Sequence, residues 1–135
     1  MRLRDYKDSA LKLQQCEERK NENQKLYPAS TTKILTAILA IENCSLTDKL
    51  TASNSAIMAI PAGYSNAAIQ PGETLTAQEL LELFLIHSAN EVGYIFAEEI
   101  SGNIENFANL MNQKALELGC TNTHFTNPSG IHDVN

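Results

Sequence analysis

Eight consecutive residues, Ile34-Leu35-Thr36-Ala37-Ile38-Leu39-Ala40-Ile41, carry no charge and a single hydroxyl. A helix over this run is apolar nearly all round, so it must be covered on most sides rather than lie on a surface. Pro28 stands just ahead of it, where a missing N–H costs nothing at a helix entrance. Glu42-Asn43 closes it. Any fold for this chain therefore has to be built around one buried helix.

The chain has 135 residues and 43% hydrophobic content. That supports one core, or part of a larger domain, and is too apolar for a disordered chain. Its net charge of −6 argues against nucleic acid as a partner, which calls for a concentrated basic face. No run approaches a membrane-spanning helix. Met1 to Asp8 carries positive charge with no apolar stretch behind it, so it does not read as a secretory signal. Cys16, Cys44 and Cys120 are odd in number and widely spaced, and read as free, packed thiols. His87, His124 and His132 stand at no ligand spacing, so no metal site is expected.

Residues 1–25 form a charged, amide-rich arm; residues 26–135 form the domain. Pro61-Ala62-Gly63 and Pro71-Gly72-Glu73 are turn signals, with short strands or a hairpin expected between them. Thr76-Ala77-Gln78-Glu79 is a capping box opening an apolar helix, which breaks near His87-Ser88-Ala89-Asn90. A second segment runs from Val92 to Ile100. A third helix spans about Ile104 to Leu118, with Phe107, Leu110, Met111 and Leu118 on one face and Gly119 as its C′ residue. The expected class is α+β, mostly α in this chain. The polar loop Thr121 to Asn135 reads as a truncation point.

Ser30 and Lys33 open the buried helix one turn apart on one face. A Ser hydroxyl needs a base to become nucleophilic. An amine becomes that base when burial lowers its pKa. The helix N-terminus adds partial positive charge that suits an oxyanion. A capping Ser with a solvated Lys is the plain alternative. Ser88 and Asn90 sit at a helix break, where Ser88 is placed to relay a proton and Asn90 to bond Lys33 and a substrate amide. Taken alone, both read more simply as helix caps. Glu91 reads as a solvated first-turn carboxylate, and His87 as a surface or packed residue.

Leu26-Tyr27-Pro28-Ala29-Ser30-Thr31-Thr32-Lys33-Ile34-Leu35-Thr36-Ala37 resembles the nucleophile motif of the low-molecular-mass penicillin-binding proteins, specifically the serine-type D-alanyl-D-alanine carboxypeptidases. Ile86-His87-Ser88-Ala89-Asn90-Glu91 resembles their second motif. Pro71 to Thr76 and Leu118 to Asp133 resemble further family segments. The resemblance covers about residues 25–135, in order.

It implies the helical half of the serine β-lactamase/transpeptidase-like fold, with the central sheet incomplete. It implies Ser30 as nucleophile, Lys33 as general base, Ser88 as proton relay and Asn90 as the group that orients Lys33 and substrate. The implied substrate is a peptidoglycan stem peptide ending in D-Ala-D-Ala, with β-lactams as covalent ligands. No metal or organic cofactor is implied. The implied location is extracytoplasmic, although the chain shows neither export signal nor anchor.

Two further departures follow. The family's third motif, Lys-Thr-Gly, is absent; it lies on an edge strand that binds the substrate carboxylate and supplies an oxyanion donor. Losing one such donor costs about a hundred- to a thousand-fold in rate. Residues 8–22 are too polar for the paired strands that precede the nucleophile in the family. An incomplete sheet would leave apolar helix faces uncovered, favouring self-association. Two rivals remain: a class A β-lactamase using Glu105-Asn106-Phe107-Ala108-Asn109, and a non-catalytic remnant that binds a peptide or a partner.

Overall fold

The structure, a computed structural model, describes residues 26–132. The polar arm, Cys16 and Asp133 lie outside the described residues. A single 3-10 turn, Ala29–Thr31, leads into α1 (Thr32–Asn43). There follow β1 (Lys49–Thr51), α2 (Asn54–Met58), β2 (Thr74–Thr76), α3 (Ala77–Ile86), α4 (Asn90–Ser101) and α5 (Ile104–Glu117). The layout is mostly helical, as the sequence implies.

The two strands pair antiparallel, Lys49 opposite Thr76 and Thr51 opposite Thr74. They bracket the two proline turns rather than lie between them. The intervening backbone is occupied otherwise: the N–H groups of Ala68 and Gln70 donate to the Asn66 and Glu73 side chains. The short helix α2, which no sequence signal marked, is capped by Ser53, whose Oγ accepts from the Ala56 N–H.

Helix α4 is the centre of the molecule, with every residue from Asn90 to Ala97 buried. It packs against α1, α2, α3 and α5. Gly93 allows its closest approach, since a Cβ there would stand 3.2 Å from the Phe84 ring and 3.3 Å from Pro128. Leu50, Leu80, Phe84, Val92 and Phe96 form the larger core cluster. Leu35, Leu39, Phe107, Met111 and Ala115 form a second.

The capping box of α3 is present, with Thr76 and Glu79 bonded reciprocally. Helix α5 ends as a Schellman motif: Cys120 N–H donates to Ala115 O and Gly119 N–H to Leu116 O, around Gly119 at φ +85. This ending corrects the apolar face of α5. Leu118 is the C-cap and 58% exposed, and Ala115 takes the buried place. Cys44 and Cys120 are free, but Cys120 is exposed rather than packed, since it follows the helix end.

Helix α1 buries Lys33, Leu35, Thr36, Ala37, Leu39 and Ala40. Its opposite edge is open: Ile34 and Ile41 are each 59% exposed. The helix is thus covered on most sides, and a narrow apolar stripe is left facing outward. No described helix is long and apolar enough to cross a membrane.

Candidate active site

Three segments far apart in sequence meet at the start of α1. The first is the 3-10 turn that carries Ser30. It enters through Ala29 at φ +47, a left-handed conformation costly for a residue with a Cβ. The second is the break between α3 and α4. There Ser88 adopts φ +56, and the Ala89 N–H turns back to the Leu83 carbonyl. The third is the turn 127–130, in which Asn127 Oδ1 accepts from the N–H groups of Ser129 and Gly130.

This third segment is clamped onto α1. Thr36 Oγ1 donates to the Pro128 carbonyl at 2.7 Å. Gly130, at φ +79, lies so near the turn carrying Ser30 that a Cβ would stand 1.9 Å from the Ala29 carbonyl oxygen.

Lys33 occupies the junction and is 3% exposed. Its Nζ lies 2.8 Å from Asn90 Oδ1, 2.9 Å from Ser129 O and 3.2 Å from Ser30 Oγ. As an ammonium it donates to all three. As a neutral amine it has two N–H groups and one lone pair. The Asn90 and Ser129 oxygens only accept, so they take the two N–H groups and leave the lone pair for the Ser30 hydroxyl proton. The Phe84 ring stands 5.7 Å from Nζ. Burial lowers the Lys33 pKa from its ordinary 10.5. The ion pairs among the described residues both belong to Lys114, not Lys33.

Ser30 Oγ and Ser88 Oγ are 3.3 Å apart. Ser30, Lys33, Ser88 and Asn90 thus form one connected set. Asn90 is anchored in turn, its Nδ2 donating to the Ser65 carbonyl at 2.7 Å. A hydroxyl, a buried amine and a second hydroxyl in this order have the parts needed for acyl transfer.

Several sequence expectations shift here. Glu91 is not a solvated carboxylate: it is 2% exposed, and Oε1 accepts from the Ala67 N–H at 2.6 Å. It turns inward because the loop 61–70 folds over the start of α4. Glu105 is exposed in the first turn of α5 and takes no part in the bonds joining Ser30, Lys33, Ser88 and Asn90. His87 is the exposed C-cap of α3. Sequence reasoning missed Ser129 and Thr36. Ser129 acts through its main-chain oxygen, which no residue type reveals; Thr36 was legible only as a lone hydroxyl within an apolar run. No group of three or more His, Cys, Asp or Glu suited to a metal ion occurs among the described residues.

A family profile described as D-alanyl-D-alanine carboxypeptidase matches residues 16–135. The D-alanyl-D-alanine carboxypeptidase DacF of Bacillus subtilis (strain 168) is 41% identical over 117 residues, covering 83% of this chain and 29% of that protein. DacB2 of Mycobacterium tuberculosis is 35% identical over 104 residues, covering 77% of this chain and 34% of that protein. Among solved structures, penicillin binding protein 5 from Haemophilus influenzae superposes with a TM-score of 0.76 at 31% identity, covering 84% of this chain and 34% of that one. The carboxypeptidase DacD from Francisella tularensis gives 0.72 at 34% identity, covering 80% and 27%. The chain therefore spans well under half the length of the relatives it matches.

Proposed function

The chain belongs to the D-alanyl-D-alanine carboxypeptidase family, and on that footing we propose that Ser30 is the nucleophile of a serine-type D-Ala-D-Ala carboxypeptidase acting on peptidoglycan stem peptides. The observation that carries the reading is the Lys33 amine, held by two pure acceptors with its remaining position 3.2 Å from Ser30 Oγ.

In the first step Lys33 Nζ takes the Ser30 proton as Oγ attacks the carbonyl between the two terminal D-alanines. The Oγ–carbon bond forms. The carbon–nitrogen bond then breaks, and the proton that Lys33 took passes by way of Ser88, whose hydroxyl lies 3.3 Å from Ser30 Oγ, to the leaving amine, which restores the neutral Lys33. Asn90 keeps Lys33 in place and offers its amide to the substrate. In the second step water attacks the acyl-enzyme and returns Ser30 to its hydroxyl. A β-lactam meets the same Ser30 and acylates it. The working place of such an enzyme is extracytoplasmic, where its substrate is. The outward stripe through Ile34 and Ile41 supports self-association of this chain with a second copy.

The test is acylation by fluorescent penicillin, read by denaturing electrophoresis and peptide mass. A Ser30-specific adduct is expected, abolished in Ser30→Ala. The sequence contains no Lys-Thr-Gly, so the adduct should form about a hundred- to a thousand-fold more slowly than in a chimera carrying the C-terminal remainder of the Bacillus subtilis relative. A folded chimera that takes no label would leave only the peptide-binding reading.

A further inference from the structure

The loop between α2 and β2 touches the site through Asn90 and its neighbour. The Ser65 carbonyl accepts from both the Asn90 main-chain N–H, at 3.0 Å, and Asn90 Nδ2, at 2.7 Å. Two residues on, the Ala67 N–H donates to Glu91 Oε1 at 2.6 Å. Glu91 is fully buried. Among the described residues its second oxygen, Oε2, finds no hydrogen-bond partner. A buried carboxylate with one unmatched oxygen serves folding less well than an apolar side chain of similar size. Its place is better explained by what the matched oxygen holds.

The two ends of the Asn90 amide have nearly the same shape. A carbonyl only accepts, so Ser65 O selects the NH2 end and turns Oδ1 toward Lys33. That selection works only while the Ser65 carbonyl stays against α4. Asn66, Ala68 and Gln70 are exposed, while Ile69 is buried in the larger core cluster and Ala67 packs against it, so side-chain packing restrains the loop at Ile69, four residues beyond the Ser65 carbonyl. The Ala67–Glu91 bond is the polar tie between Ser65 and the buried Ile69, and it lies on the residue next to Asn90.

We propose that Glu91 is a positioning residue for the base: its Oε1 fixes Ala67, which keeps the Ser65 carbonyl on Asn90, which presents Oδ1 to Lys33. The kinetic consequence rests on the reading of Lys33 as base, while the geometric chain does not.

Three variants of the full chain test it: Glu91→Gln, Glu91→Asp and Glu91→Ala. Gln keeps an accepting oxygen at the same reach; Asp keeps the carboxyl group but withdraws it by one methylene. Ala67 amide exchange and the Asn90 side-chain amide resonances are followed by NMR, with Leu39 and Phe96 amides as core references. Glu91→Gln should retain the parent pattern. Glu91→Asp should speed Ala67 exchange at least about tenfold and move the Asn90 resonances, with the references unchanged. Glu91→Ala should match Asp, and the Gln and Asp pair decides the question should Ala not fold. Penicillin acylation should follow the same order, falling in the acylation step at constant prior affinity. Unmoved Asn90 resonances in Glu91→Asp would overturn the proposal, as would rescue by Asp and failure of Gln. A parent chain that never acylates counts against the proposed function, while the exchange data still decide the positioning role.

Discussion

The Lys33 amine lies 2.9 Å from the main-chain oxygen of Ser129, a residue 96 positions further along the chain. The amine is therefore placed as much by the turn 127–130 as by its own helix. Thr36 clamps that turn and Gly130 lets it approach the Ser30 turn closely, and the first prediction concerns Gly130.

In Gly130→Ala the new Cβ would meet the Ala29 carbonyl oxygen at 1.9 Å and Thr32 Oγ1 at 3.0 Å, at a φ of +79 that disfavours any side chain. Either the Ser30 turn or the clamp must move. The expected loss is about 2–4 kcal/mol of stability, read as a lower urea midpoint at constant slope. Ser30 acylation should fall about a hundredfold or more. An unchanged midpoint would mean the clamp yields freely.

The second prediction is the pH dependence of Lys33. Burial lowers its pKa below the ordinary 10.5. Acylation needs the neutral amine, so the rate should climb with pH along a limb centred below 10.5. Stability moves the same way. Between the folded pKa and 10.5 the unfolded chain binds more protons than the folded one, so stability rises with pH across that window. Below it the penalty of the buried charge is constant. Rate profiles and urea midpoints from neutral pH upward check both; a limb centred at 10.5 or above contradicts the placement.

Asn90→Asp sets a carboxylate where Oδ1 now stands, 2.8 Å from Nζ. The opposite charge favours the ammonium, and the Ser65 carbonyl loses its side-chain donor. The acylation limb should move up by about 1 unit or more, with a drop of about tenfold or more at neutral pH. The pH–rate profile separates this outcome from simple misfolding, which lowers the plateau and leaves the limb in place.

Ile34→Gln combined with Ile41→Gln addresses the outward stripe of α1. Sedimentation of the parent chain should show mass rising with concentration, and the double variant should sediment as a monomer. Both side chains lie on the face away from the core, so Ser30 labelling should persist. A parent that stays monomeric at high concentration removes the self-association reading.

Much of the site was legible because its signals are local. Ser30 and Lys33 share a helix turn, and Ser88 and Asn90 announce themselves at a break between apolar runs. The capping box at Thr76 and the glycine at 119 were legible for the same reason: each acts within a few residues of itself. What stayed hidden acts across the chain. Ser129 contributes a carbonyl, which every residue possesses. Glu91 looks like any first-turn acid until the loop 61–70 closes over it. Leu118 fits the helical period, but the helix unwinds one residue before it.

The partners of Lys33 come from the start of α1, the α3–α4 break and the turn near the end of the described chain. A polypeptide that has folded only its first helix carries an ordinary serine and an ordinary, fully hydrated lysine. On the proposed mechanism, a nascent chain that has not yet docked the turn 127–130 lacks one of the two acceptors that aim the amine at the hydroxyl.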